Sequence, residues 1–415
     1  MIKRVGALSL SFILLTASPA YAATLGPATT YEELSSLAAS AADGDILLVS
    51  GVLDASGQEA LTSSSSIRIS SQSGEAAVIS GLRLRDAKVT FTDITLSDSL
   101  SVEGTSYIEL AGGVSVTGAS GGSGIAFDGN GSLLMERGVS VTGGASSAGI
   151  SISHRGGDFY GGIDGIVRGG SGSTGGPGLV VSPLESSGAM MISGAIYGGE
   201  GTDVGGHALG LFELSGNAYI TVDGIIQGGS GSLGGDGIQL VSAGDQVSVG
   251  ISGTVTGGQG RNYGGNGMIL MNAGGSSVVH VSGSLGGGNA TGESAQPGTS
   301  LIIAGGSSSS HILLDDCLMT DGTLLSPTPE PTPEPPITPL PEITASAVEI
   351  AALPTPPGET EQPEADASPD IVPTTLPTPE TTPSPDSATP SEAETTPTPS
   401  VATPAEAAQA DAQQP

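Results

Sequence analysis

Few residues in this chain could carry out chemistry. His154, His207, His280 and His311 are its only histidines, and their separations give no metal-ligand pattern, so each reads as a solvated surface residue. Arg155, Asp158 and Asp164 form a mixed cluster that reads as a turn salt bridge. Asp315-Asp316 is an adjacent acid pair beyond the last regular strand and reads as a solvated terminal turn. The stretch Gly198-Gly199-Glu200-Gly201-Thr202-Asp203-Val204 approaches a calcium-binding nonapeptide, but that motif works in tandem, and the residues aligned with Asp203 are Thr174 and Leu233. Gly169 to Gly176 is rich in glycine without the Lys and following helix of a phosphate loop. Asn289-Ala290-Thr291 reads as a chance sequon, and Cys317, the single cysteine, as a bland thiol. Tyr107, Tyr160, Tyr197, Tyr219 and Tyr263 are the aromatic candidates for stacking on a sugar, and most are expected to pack or sit in turns. No catalytic, cofactor-binding or metal residue is assigned, and no cofactor is expected.

Composition narrows the partners. There are 10 Lys and Arg against 42 Asp and Glu, a net charge of -32, and no basic residue follows Arg261. Little would neutralise phosphates, so nucleic acid and anionic membranes are disfavoured as partners. Lys3-Arg4, an apolar stretch from Val5 to Ala17 and the small-x-small triplet Ala20-Tyr21-Ala22 read as an export signal over residues 1–22. No later segment is long and apolar enough to span a bilayer, so the mature chain is expected in the extracellular space or at the cell surface, without membrane insertion.

The elements that must position any site emerge from self-similarity. Segments opening at Asp164, Ser193, Asp223, Ser252 and Ser282 recur at a near-constant spacing, and the first four share the form Ser/Asp-Gly-x-Val/Ile-x-Gly-Gly. Each unit holds three short runs of alternating apolar residues separated by Gly turns, as in Ile225-Ile226, Gly237-Ile238-Gln239-Leu240 and Val247 to Ile251. Three strands in so short a unit, with no helix between them, make a coil in which each strand pairs with its equivalent one turn on. The third strand can be followed from Ile67-Arg68-Ile69 to His311-Ile312-Leu313-Leu314, which predicts an all-β parallel solenoid of about ten rungs over residues 46–325. Aligning the repeats places three columns outward: Met191, Thr221, Gly250 and His280; Val180, Gly210, Gln239 and Ile269; Arg168, Tyr197, Gln227 and Thr256. None holds two acids together.

The ends differ from the body. Residues 23–45 read as an N-terminal cap: Thr30 and Glu33 form a capping box, and Tyr31, Leu34, Leu37, Ala38 and Ala41 follow helical spacing until Asp43-Gly44. Residues 326–415 hold most of the 28 prolines with many acids and no bases, and read as a disordered acidic Pro/Thr-rich tail favouring polyproline II. Its Ser and Thr residues are candidates for O-linked sugars.

A leader, a cap ending in Ala42-Asp43-Gly44-Asp45-Ile46-Leu47-Leu48-Val49 and coils of strand and Gly turn resemble the pectin-lyase-like right-handed parallel β-helix superfamily. The Ser-Gly-x-Val/Ile-x-Gly-Gly units with a following Gly-Gly-x-Gly-Ile resemble passenger repeats of autotransporter adhesins in particular, over about Ala28 to Leu325. The resemblance implies right-handed coiling. It leaves activity open, since the fold hosts lyases, hydrolases and inert stalks. No β-barrel strands follow residue 325, so no translocator is expected. Sugar-cleaving members stack acids and bases on adjacent rungs; the columns here do not, which favours a non-enzymatic adhesion or structural role with an extracellular glycan or a host or cell-surface partner. The alternatives are a polysaccharide lyase or hydrolase, or a non-catalytic glycan-binding module. If this register is right, a charge placed at Ile220, Val249 or Val279 should disrupt neighbouring rungs and lower the melting temperature, whereas the same change at Thr221 or His280 should be tolerated; circular dichroism distinguishes the two groups.

Overall fold

A computed structural model describes residues 22–185, 187–274, 276–304, 312–315 and 317–319. His311, Asp316, the tail over 326–415 and all but the last residue of the expected leader lie outside the described residues. The chain forms an all-β parallel solenoid of about nine turns with one short helix near its start.

Three faces run the length of the coil. On the first, the stretches at 67–69, 89–91, 108–110, 132–135, 159–163, 190–192, 219–222, 248–251, 278–281 and 312–314 each pair in parallel with the next. The second face stacks Leu84, Val102, Phe127, Ile152, Val181, Leu211, Leu240 and Leu270 inward. The third stacks Leu53, Ile79, Leu96, Val116, Val141, Val167, Ile196, Ile226, Val255 and Leu285. Strand alternation sends every second residue inward, and in-register pairing sets like on like, so three apolar columns meet in a core that is mostly aliphatic, with Phe91, Phe127 and Phe159 as its largest side chains. Ile220, Val249 and Val279 all lie in that core.

The three outward columns expected from the repeats are the pairing partners found. Asp158-Phe159-Tyr160 lies on the first face in a strand that continues to Ile163, and Met190 pairs with Gly161. Phe159 turns inward against Phe127, with ring centroids 5.2 Å apart. The next inward position on the same strand is narrow: a Cβ at Gly161 would sit 3.1 Å from the Met190 Cγ.

The cap forms as its sequence dictates. The helix spans Tyr31–Ser40, the Thr30 hydroxyl accepts from the Glu33 amide while the Glu33 side chain accepts from the Thr30 amide, and Tyr31, Leu34 and Ala38 are buried. Strand Thr24–Ala28, which the sequence did not announce, precedes the helix and pairs in parallel with Ile46–Val49. It covers the edge that the first coil would otherwise expose.

A second sheet was also unforeseen. In four successive turns the chain leaves the third face through a Gly-Gly step, forms a short strand (Gly172–Thr174, Gly201–Val204, Gly231–Leu233, Gly260–Tyr263) and returns through another glycine pair. At the neck, glycine amides and carbonyls form one chain of hydrogen bonds along the axis: Gly199 to Gly176, Gly206 to Gly199, Gly229 to Gly206, Gly235 to Gly229 and Gly258 to Gly235, each 2.7–2.9 Å. The strands here are so close that a Cβ at Gly229 would fall within the Gly199 carbonyl oxygen. Side chains cannot enter this spine, which is why the repeats carry paired glycines. Gly250 is a contrast, since a Cβ there would meet only the Thr221 Cγ2, at 3.8 Å. Gly229→Ala should therefore cost at least about 2 kcal/mol, whereas Gly250→Ala should be neutral or stabilising by up to about 1 kcal/mol; chemical denaturation of the two variants measures the contrast.

Candidate functional site

Reading outward along the first face, one column runs Lys88, Tyr107, Ser132, Tyr160, Ala189, Tyr219, Ser248, Val278. A tyrosine stands on every second turn, and a residue no larger than Ala or Ser stands between. The three rings are neither packed away nor loose: their exposures are 47%, 40% and 50%. Tyr160 shows how a ring is held. Its Cε1 is 3.7 Å from where a Cβ would stand at Gly162, and its hydroxyl donates to the Met191 sulfur at 3.3 Å. Gly162 and Met191 are neighbours in the adjacent outward column, so the ring lies toward the sheet and reaches the next turn.

The same two-turn beat recurs around the corner to the third face. Asp164, Ser193, Asp223 and Ser252 open the aligned Gly turns; the Ser193 hydroxyl donates to Asp164 at 3.2 Å, and the Ser252 hydroxyl donates to Asp223. Beyond them Ile166, Ala195, Ile225 and Thr254 stack, with both isoleucines exposed. Tyr160, Asp164 and Ile166 thus recur as Tyr219, Asp223 and Ile225, each two repeat units further along the chain. The fold repeats once per turn, but this surface repeats once per two turns, an advance of about 9.6 Å along the axis.

Beside the column lies a shallow cleft of about 560 Å³ lined by Glu109, Leu134, Glu136, Arg137, Tyr160 and Met191 among others. Its acids are largely engaged. Glu109 accepts from the Thr90 hydroxyl at 2.9 Å, and Asp164 faces Arg137 at 3.6 Å as well as Ser193. The cleft offers hydroxyls, carboxylates and flat apolar rings, which suits hydrogen bonding and stacking with a hydroxyl-rich ligand.

The other residues singled out from the sequence are dispersed. Asp158 accepts from Ser187 and Asp164 pairs with Arg137, while Arg155 joins no ion pair among the described residues, so that cluster does not assemble. Asp315 lies 3.9 Å from His280 at the far end of the coil. His154 and His207 are not solvated. His154 is buried, with Nδ1 3.1 Å from the Gly129 carbonyl, because its ring packs against Phe159. His207 sits edge-on to Phe212 over Gly210, and burial pushes its imidazole below its ordinary value, partly offset by Asp236. Val204, rather than Asp203, pairs with Thr174 and Leu233, because the 201–204 strand carries one more residue than its neighbour. No cluster of three or more metal-ligating side chains occurs among the described residues. Tyr197 lies under the Arg168 guanidinium, 4.2 Å from its centroid, and Tyr263 stands on the projecting sheet. Cys317 is buried, and burial pushes its thiol up.

Sequence reasoning missed one charged group. On the second face Arg83 and Arg85 both donate to Glu103, at 3.0 and 2.5 Å, and Asp128 stacks directly beyond it. It lies in the irregular early turns, where alignment of the regular Gly-turn repeats has no reach. Hydrogen bonds from Arg85 and then Arg83 hold the Glu103 carboxyl below the usual carboxylate range. No family model matches the chain, and neither does a curated protein or a solved structure.

A carboxyl with a depressed folded pKa stabilises the fold above its unfolded pKa and loses that contribution as pH falls through the folded value. The pair is partly solvated, so the difference in stability between the native chain and Glu103→Gln should be at most about 1 kcal/mol at neutral pH. That difference should vanish in acid below the normal Glu range, as read by denaturation at a series of pH values.

Proposed function

We propose that this chain is a secreted or cell-surface protein whose solenoid holds a partner without transforming it, in an adhesive or extracellular structural role. The observation that carries this reading is the register, which sets small residues and spaced tyrosines, in place of paired carboxylates, along the first-face column a long partner would cross; the in-register acids Glu103 and Asp128 lie on the second face, where Arg83 and Arg85 hold Glu103. Glycoside cleavage needs two carboxyl groups set across the scissile bond with separated roles. Here Glu109, Asp164 and Asp223 each already engage a hydroxyl or a guanidinium.

The export-signal pattern and the acidic, proline-rich composition after residue 325 support display away from the cell on an extended spacer. The parallel coil supports the resemblance to pectin-lyase-like β-helices, and its repeated Gly turns support the likeness to adhesin passengers. The full chain incubated with neutral and uronate polysaccharides should generate no new reducing ends and no unsaturated products over a time course. Product accumulation in proportion to protein concentration would overturn the reading in favour of a lyase or hydrolase.

A further inference from the structure

We infer that the column Tyr107, Tyr160 and Tyr219 is a binding track for an extended, uncharged β-1,4-linked polysaccharide lying along the solenoid axis, with one sugar unit per turn. The inference rests on the non-catalytic reading above and names the ligand class of the same surface.

Three observations converge on it. The first is spacing. The three tyrosines sit two turns apart, an advance of about 9.6 Å from ring to ring. In an extended β-1,4-linked chain each sugar is turned by half a revolution from the last, so every second unit presents the same apolar face, and two units advance by nearly this distance. A chain laid on the column would bring one like-facing sugar over each tyrosine, with the intervening units over Ser132 and Ala189.

The second is the state of the rings. Each is about half covered, and Tyr160 lies toward Gly162 with its hydroxyl engaged by Met191. Ordering the Tyr160 ring on binding costs little side-chain entropy, since Met191 on the neighbouring turn already restrains it. The small residues between the tyrosines keep the track clear; a large side chain at Ser132 or Ala189 would stand in the path.

The third is charge. The track is flanked by Glu109, Asp164 and Asp223 in a chain of net charge -32. Carboxylates accept hydrogen bonds from sugar hydroxyls and repel uronates and sulfated units, so the complementary ligand is a neutral chain. Of the bases beside the track, Arg137 is paired with Asp164, and Lys88 stands on the column one turn before Tyr107, outside the tyrosine span.

The test is calorimetric titration of the full chain with cellohexaose, xylohexaose and chitohexaose, with a polygalacturonate oligomer as the charged comparison. At least one neutral hexamer should bind, and affinity should rise with length up to the four-turn span from Tyr107 to Tyr219. Tyr160→Ala and Tyr219→Ala should each weaken binding roughly three- to tenfold, and the double variant by about the product of the two. Tyr160→Phe should bind as the native chain does, because the ring and not the hydroxyl is the platform; Tyr263→Ala, off the column, should also be unchanged. Melting curves of all variants confirm that the solenoid is intact. Failure of every neutral hexamer to bind, native affinity in the Tyr160→Ala/Tyr219→Ala variant, or equal binding of polygalacturonate would overturn the track. Cleavage of a bound hexamer with the tyrosine dependence intact would instead overturn the non-catalytic reading and support the track.

Discussion

Every other feature of this protein depends on the parallel, in-register hydrogen bonding of each turn to the next. The turn-to-turn spacing of about 4.8 Å is imposed by the backbone and admits no adjustment by side chains. Inward positions must repeat one kind of residue, so Leu, Ile and Val recur up the columns that run through Leu270 and Leu285. The glycine spine is the extreme case. Where the chain leaves and rejoins the coil, neighbouring backbones approach so closely that Gly199, Gly206, Gly229 and Gly235 leave no room for a Cβ, and the amide-to-carbonyl chain between them replaces side-chain packing. With a single cysteine in the chain, no internal disulfide shares this task.

The same constraint turns the outside into a lattice. A residue choice repeated in sequence becomes a line in space, and an alternating choice becomes a line of doubled period. Tyr160 with Tyr219, Asp164 with Asp223, and Ile166 with Ile225 are three such lines side by side at one corner. A surface of this kind matches a partner that is itself periodic, and it does so by summing modest contacts rather than by building one deep pocket. The clefts here are shallow and open, which agrees with a ligand that lies along the coil. The proposed neutral glycan is the partner whose own repeat and lack of charge fit both the spacing and the acids.

Much of this was legible in the residues. The even spacing of Asp164, Ser193, Asp223 and Ser252 fixed a register that the pairing reproduces, and Thr30 with Glu33 marked the cap helix correctly. The losses have physical causes. The tyrosine column was hidden by a double period within a single one, and by the length of the 158–163 strand, which sets Tyr160 opposite Ala189. His154 looked solvated because the packing of Phe159 beside it has no signature in sequence spacing. Arg83, Arg85 and Glu103 lie where the long strands Val78–Thr92 and Thr95–Ala111 run over all three faces, turning at single residues such as Gly81, Asp86 and Gly104 rather than at the paired glycines of the later units, so no repeat aligned them. A residue count alone set Asp203 where Val204 stands.

Register places the tyrosines two turns apart on one line, and everything proposed for the outer surface follows from that placement. Double electron–electron resonance between spin labels at positions 107 and 219 tests it directly, since these positions lie four turns apart. In-register stacking predicts a label-corrected Cα separation of about 19 Å. A separation of about 14 Å or about 24 Å, as a slip by one whole turn would give, or a broad distribution without a peak, would contradict it.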